Sequence, residues 1–126
     1  MRMWMVDPVI MCNKHLLGEH VECHMFTGHL QRKRHIKNYI RLNLLEPGSL
    51  RQRHDRLAQE MTRREMSHKS PLPEFDMSYL PKEHQVFIVN ADASLKELRR
   101  RCPECKKRQK TIDRRLKNAC ESDTTI

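Results

Sequence analysis

Apolar residues recur at helical spacing along most of this chain, and only one short stretch reads as a strand. Between residues 13 and 34, Leu17, Val21 and Met25 repeat at i, i+4 and i+8, and Leu16, Cys23 and Leu30 widen that line into a face. Asn13 is a suitable N-cap, so a helix is expected from there to about Arg34. Gly18 and Gly28 weaken it by about 1 kcal/mol each relative to alanine. Upstream, "MRMWMVDP" is a short apolar segment that Asp7-Pro8 terminates. Residues 36–46, "IKNYIRLNLLE", fit either a short helix or a partly extended segment.

"EPGSLRQ" reads as a turn and a helix start, with Ser49 and Gln52 at capping-box spacing. That helix should reach about Met66, with Leu50, Leu57, Met61 and Ala58 turned inward. "SHKSPLPEFDMSYLPKEH" has no period and contains three prolines, so it reads as a long loop. "QVFIVN" is the strand candidate, but a lone strand forms no sheet and extended core chain is the other reading. Ser94 and Glu97 suggest a second capping box, opening a helix to about Arg101. Pro103 suits the first position of a last helix, to about Asn118. The expected fold class is mostly α: a single compact domain, 1–126, of several packed helices with long irregular connections, ending in a flexible tail at 119–126.

Composition narrows the function. The chain has 126 residues, of which 37% are hydrophobic and 33% charged, so its core must be modest, with eight methionines available as gap-fillers. No segment has the length of a membrane span or the pattern of a signal peptide, and a cytoplasmic, soluble monomer is expected. The net charge of +9 points to a polyanionic partner, most often nucleic acid, although solubility alone accounts for many basic surfaces. The excess concentrates in residues 96–117, which include Arg114 and Arg115, and in a cluster of Arg32, Lys33, Arg34, Lys37 and Arg41.

Five cysteines argue against a disulfide framework. Cys102 and Cys105 form a CxxC, "RCPECKKR", without a second such pair. The two are either plain reduced cysteines near a helix start or half of a zinc site, completed through the fold by Cys12, Cys23, Cys120 or a histidine. No metal is assigned on sequence alone.

Chemistry is concentrated in "NKHLLGEHVECHMF". On a helix, His15, Glu19 and Glu22 share one stripe, and His20 and His24 form a second i, i+4 pair. "HVECH" is not the zincin motif: its order, H-x-E-x-H, moves the glutamate off the face where it would polarise a zinc-bound water. The stripe is either a solvated helix face or a site. The chain start favours a site. An α-amine has an ordinary pKa of about 7.7–8.0, against about 10.4 for lysine, and is partly neutral and nucleophilic at physiological pH. Amine and carboxylate together are what imine chemistry at a sugar C1′ requires.

These residues resemble the phage endonuclease V type of pyrimidine-dimer DNA glycosylase. The family begins with a short segment, followed by an "HLxxE" helix whose catalytic glutamate lies three residues further on. Here those are "HLLGE" at His15–Glu19, and then Glu22. "SLRQRHDRLAQEMTRREM" and "VNADASLKELRRRCP" are similar to the family's second long helix and to the start of its last. The resemblance implies a compact helical domain acting on lesion-bearing duplex DNA, without metal or cofactor. It also implies base flipping and a nucleophilic N-terminal α-amine, here that of Met1, since a bulky Arg2 should leave Met1 in place. Glu22 would be essential, and Arg2 and His15 would contact DNA near the lesion; the neighbouring Lys14 joins them as a candidate. The resulting imine would undergo β-elimination, nicking the strand at the abasic site. A phage or viral origin would suit such a protein.

Val21 and Met25 stand where arginines flank the catalytic glutamate in the family's pattern, and the basic tail stands where that pattern has aromatic residues. Phosphate contacts would then come from the basic run 99–117. Two rival readings remain: a non-catalytic nucleic-acid-binding protein with a zinc-stapled CxxC, and a metallohydrolase built on His15, His20, His24, Glu19 and Glu22. EDTA would abolish only the metallohydrolase chemistry.

Overall fold

The structure, a computed structural model, describes residues 1–67 and 70–123, with the side chains of the last helix described through residue 117. Six α-helices appear among the described residues: α1 Asn13–Gln31, α2 Lys37–Arg41, α3 Leu50–Arg63, α4 Lys82–Gln85, α5 Ala91–Arg101 and α6 Pro103–Asp123. Short 3-10 turns at Pro8–Ile10 and Pro47–Ser49 precede α1 and α3. No strand occurs among the described residues. The mostly α architecture is the one expected. The expected tail at 119–126 lies partly outside the described residues, and the backbone through Asp123 continues α6.

The principal packing is α1 against α3, with α6 lying on α5 and on the first 3-10 turn. The N-terminal segment is part of the core: Met3, Trp4, Val6, Ile10 and Met11 are buried beside Leu16, Phe26, Leu50, Leu57 and Leu98. The Met3 N–H donates to the Leu44 carbonyl at 2.7 Å, and the Arg53 guanidinium donates to the Val6 carbonyl at 2.6 Å. The segment is thus held by its backbone as well as by its side chains.

The face that α1 buries differs from the one its apolar spacing suggests. Leu17, Val21 and Met25 are exposed, at 45%, 48% and 48%. The buried line is Leu16, Glu19, His20, Cys23, Phe26, Thr27 and Leu30. Polar residues sit on the inward face because each finds a partner there, Glu19 in Arg53 and His20 in the ring of His54 on α3, and Thr27 in the Cys23 carbonyl of α1 itself, and that hides the true stripe from any reading based on hydrophobicity. On α3, Leu50, Leu57 and Met61 face inward as expected, joined by Arg53, His54 and Glu60.

Helix starts also differ from expectation. Cys12, not Asn13, is the N-cap of α1. Ser49 stands at the N-cap of α3 without a side-chain capping bond. The cap of α5 is Asn90, whose side chain accepts the Ala93 N–H at 3.0 Å, and Ser94 is buried inside the helix. The strand candidate forms neither a strand nor a run of extended core chain: Gln85 ends α4, Val86 caps it at φ -99° and ψ 1°, Val86 and Ile88 are exposed, and only Val89 is buried, its N–H donating to Glu46 at 2.8 Å.

Helices α1, α2 and α3 end on non-glycine residues in the left-handed region: Lys33 at φ 55°, Asn43 at φ 62° and Glu65 at φ 62°. Each is followed by a backbone bond that closes a Schellman motif: Arg34 N–H to His29 carbonyl, Leu44 N–H to Tyr39 carbonyl, and Met66 N–H to Met61 carbonyl. The second of these fixes Leu44, whose carbonyl anchors Met3. A left-handed non-glycine residue costs about 1–2 kcal/mol, and glycine returns part of that gain through its freer unfolded chain. The Glu65→Gly variant, at an exposed position, should therefore be more stable by about 0.5–1 kcal/mol, a rise of roughly 2–4 °C in the thermal midpoint. A calorimetric midpoint that falls would contradict this account of the α3 terminus.

Candidate active site

The N-terminal segment, the first turns of α1, Leu44 and Arg101 at the end of α5 enclose an open cavity of about 390 Å³. Met1, Arg2, Trp4, Lys14, His15, Gly18, Glu19 and Glu22 complete its lining. Gly18 leaves one wall low, since nothing lies within 4 Å of where its Cβ would stand.

The two carboxylates of the α1 stripe have different fates. Glu19 is buried and receives a bidentate pair from Arg53, Nε to Oε2 at 2.5 Å and Nη2 to Oε1 at 2.8 Å. Arg53 spends its remaining donors on the Val6 carbonyl and the Met11 sulfur. Glu19 is therefore a structural anion. Glu22, one turn on and partly exposed, accepts the backbone N–H of Arg2 through Oε2 at 3.1 Å. That amide directly follows Met1, so the bond seats the Glu22 carboxylate beside the first residue of the chain.

Cations form the opposite side. The Arg2 guanidinium lies 3.8 Å from the centroid of Trp4 and donates to Ser94 Oγ at 3.2 Å. Arg101 approaches the same ring at 5.8 Å and donates to Glu97 at 2.6 Å. Burial, and then the neighbouring Arg101, push the pKa of Arg2 below its ordinary value. Hydrogen bonds from Arg100 and Arg101 hold the Glu97 carboxyl at about 2, so the Arg101 tether persists at every working pH. Burial and Lys14 lower His15. The ring of His15 meets Trp4 edge-on at 6.0 Å, and its Nδ1 is turned to the Cys12 sulfur at 3.2 Å.

Of the residues singled out in the sequence, Met1, Arg2, Lys14, His15 and Glu22 thus come together. Arg32, Lys33 and Arg34 do not line the cavity: they are exposed at the far end of α1, about 15 Å along its axis from Glu22. Arg114 and Arg115 are exposed on α6, and Arg115 borders a separate groove with Lys107 and Arg108. The five residues of the metallohydrolase reading are dispersed. His15 and Glu22 line the cavity and Glu19 is bound to Arg53. His20 and His24 pack with His54, at ring centroid distances of 4.6 Å and 4.9 Å to His54, beside another hollow. Trp4 and Ser94 were not legible as site residues, and Arg101 was marked only as one cation of the basic run 99–117. The one hint is that the single tryptophan of the chain lies so close to its start.

A segment threaded through a helical core thus places the chain start beside a carboxylate and a set of cations. Residues 1–74 match the family model for pyrimidine dimer DNA glycosylases, and the chain belongs to that family, the phage endonuclease V family. The family is one of DNA glycosylases, which makes DNA the substrate class. No curated protein and no solved structure matches the chain. Arg101 and Ser94 belong to the part beyond the match. Among the described residues no helix is long and apolar enough to cross a membrane.

The different fates of the two glutamates are separable by experiment. Glu19→Gln leaves Arg53 buried without its counter-charge and should cost about 3–5 kcal/mol. Glu22→Gln should change stability by less than about 1 kcal/mol, because its single bond is partly solvated. Chemical denaturation of both variants measures the contrast, and equal losses would remove the distinction.

Proposed function

We propose that this cavity carries out glycosylase and abasic-site lyase chemistry on pyrimidine dimers in duplex DNA. The α-amine of Met1 is the nucleophile and Glu22 the acid–base group. The observation that carries this reading is the hydrogen bond from the Arg2 amide to Glu22, which holds a carboxylate next to the first residue. Glu19 is unsuited to the role because Arg53 already occupies both its oxygens.

The neutral amine attacks C1′ of the damaged nucleotide as the N-glycosidic bond breaks. Loss of a proton and ring opening yield an imine linking Met1 to the sugar. Glu22 steadies the positive charge that develops at the sugar and then moves the proton whose loss starts β-elimination, which expels the 3′ phosphate. Arg2, Lys14 and Arg101 offer positive charge to the flanking phosphates. The crowding of Arg2 and Arg101 is a cost that an arriving phosphate relieves. Trp4 holds the Arg2 guanidinium in place. The exposed Arg32–Arg34 and Arg114–Arg115 clusters serve the duplex further from the lesion, through phosphate neutralisation.

Borohydride should trap a covalent complex between the native protein and abasic-site DNA. In Glu22→Gln, nicking should fall by about 10²–10⁴-fold while binding persists. An N-terminal extension of a few residues, which displaces the amine and alters no side chain, should abolish trapping, and removing it should restore trapping. Equal trapping of the extended protein would move the nucleophile to a lysine, with Lys14 the first to examine.

Duplex binding should weaken steeply with salt. The double variant Arg114→Glu, Arg115→Glu should lower the slope of log K against log salt by about 2, alike for all sequences. An unchanged slope would exclude those arginines from the DNA interface.

A further inference from the structure

The two cysteines of the CxxC do not stand alone in the fold. Cys12 and His15, also two residues apart from each other, meet Cys102 and Cys105, and the four ligand atoms all lie within 4.8 Å of one another. Cys12 is the N-cap of α1, and Cys102 immediately precedes the start of α6 at Pro103. Two helix N-termini thus converge on three cysteine sulfurs.

We propose that Cys12, His15, Cys102 and Cys105 form a structural zinc site. Three of the six spacings lie close to tetrahedron edges, and all six are within 4.8 Å. A zinc with Zn–S of about 2.3 Å and Zn–N of about 2.05 Å requires S···S near ~3.8 Å and N···S near ~3.5 Å. The Cys12 and Cys102 sulfurs are 3.8 Å apart, and His15 Nδ1 lies 3.2 Å from Cys12 Sγ and 3.7 Å from Cys105 Sγ. An outer shell is also in place: the Cys12 N–H points to Cys105 Sγ at 3.2 Å and the Cys105 N–H to Cys102 Sγ at 3.4 Å. Soft sulfur and imidazole in a four-ligand tetrahedron select zinc over magnesium or calcium. Four protein ligands leave no open position for water or substrate, so the metal is a staple rather than a reagent. Binding converts three thiols to thiolates and releases their protons.

The staple joins two parts of the chain that the family match separates. Cys12 and His15 lie within residues 1–74, and Cys102 and Cys105 lie beyond them. It ties α6 to the beginning of α1, directly under the catalytic cavity. With Nδ1 on the metal, His15 carries its proton on Nε2 and is a fixed donor, held against Trp4. This assignment does not depend on the glycosylase reading.

The full-length chain, purified without chelator, should hold one tightly bound zinc by elemental analysis. Exchange with cobalt should give the intense visible bands of tetrahedral thiolate coordination. The Cys102→Ser, Cys105→Ser double variant should lose that metal, Cys23→Ala should keep it, and His15→Cys should keep it as a four-sulfur site. Because the double variant can fail by unfolding, the decisive measurement is on the unaltered protein. Release of its zinc by a mercurial reagent should free one equivalent. Wild-type protein without stoichiometric zinc and without cobalt–thiolate bands overturns the proposal, as does a Cys12–Cys102 disulfide found in its place by mass spectrometry. Borohydride trapping of the same preparation reports separately on the glycosylase reading, so the two can fail independently.

Discussion

The arrangement depends on one buried guanidinium. Arg53 reaches from α3 into the space between α1 and the N-terminal segment, where it pairs with Glu19 and donates to the Val6 carbonyl. A lone charge there would be prohibitive to bury, and the pair is tolerable because nearly every donor and acceptor in it is used. The consequence is geometric. The backbone at Val6 is tied to α1 and α3 at once, which fixes the path of residues 1–6 across the first turns of α1. The position of Met1 over the cavity follows from that path, reinforced by the Met3 bond to Leu44.

That pair also divides labour between the two acids of the α1 stripe. Glu19, saturated by a guanidinium, holds structure, whereas Glu22 accepts a backbone amide and opens onto the cavity. The cavity around it is unevenly charged, with Arg2, Lys14 and Arg101 facing Glu22. The stacking of Arg2 on Trp4 lets two arginines coexist there without collapsing onto Glu22.

The first 3-10 turn, which follows the N-terminal segment, is clamped by cations. Arg64 and Arg108 both donate to the Val9 carbonyl, from α3 and α6. Together with the sulfur cluster at Cys12, these contacts dock α6 beside the N-terminal segment, so the basic surface of the last helix is oriented by the same elements that shape the cavity.

Much was legible in the residues alone. Helical class, the loop after α3, the start of α6 at Pro103 and the grouping of His15, Glu19 and Glu22 follow from spacing and backbone chemistry, which are local. Membership of the glycosylase family rests on residues 1–74, which include the first helix and the segment before it. What the sequence did not decide depends on residues distant along the chain. The buried face of α1 was misread because its polar members find partners 34 residues away, as Glu19 does in Arg53. The choice between two glutamates, the place of Arg101 in the cavity wall, the bond of Arg2 to Ser94, and the approach of Cys12 and His15 to the CxxC are likewise long-range. Periodicity reports which face is apolar. It does not report which charge is cancelled or which thiol is met from across the fold, because those depend on proximity that only tertiary packing creates.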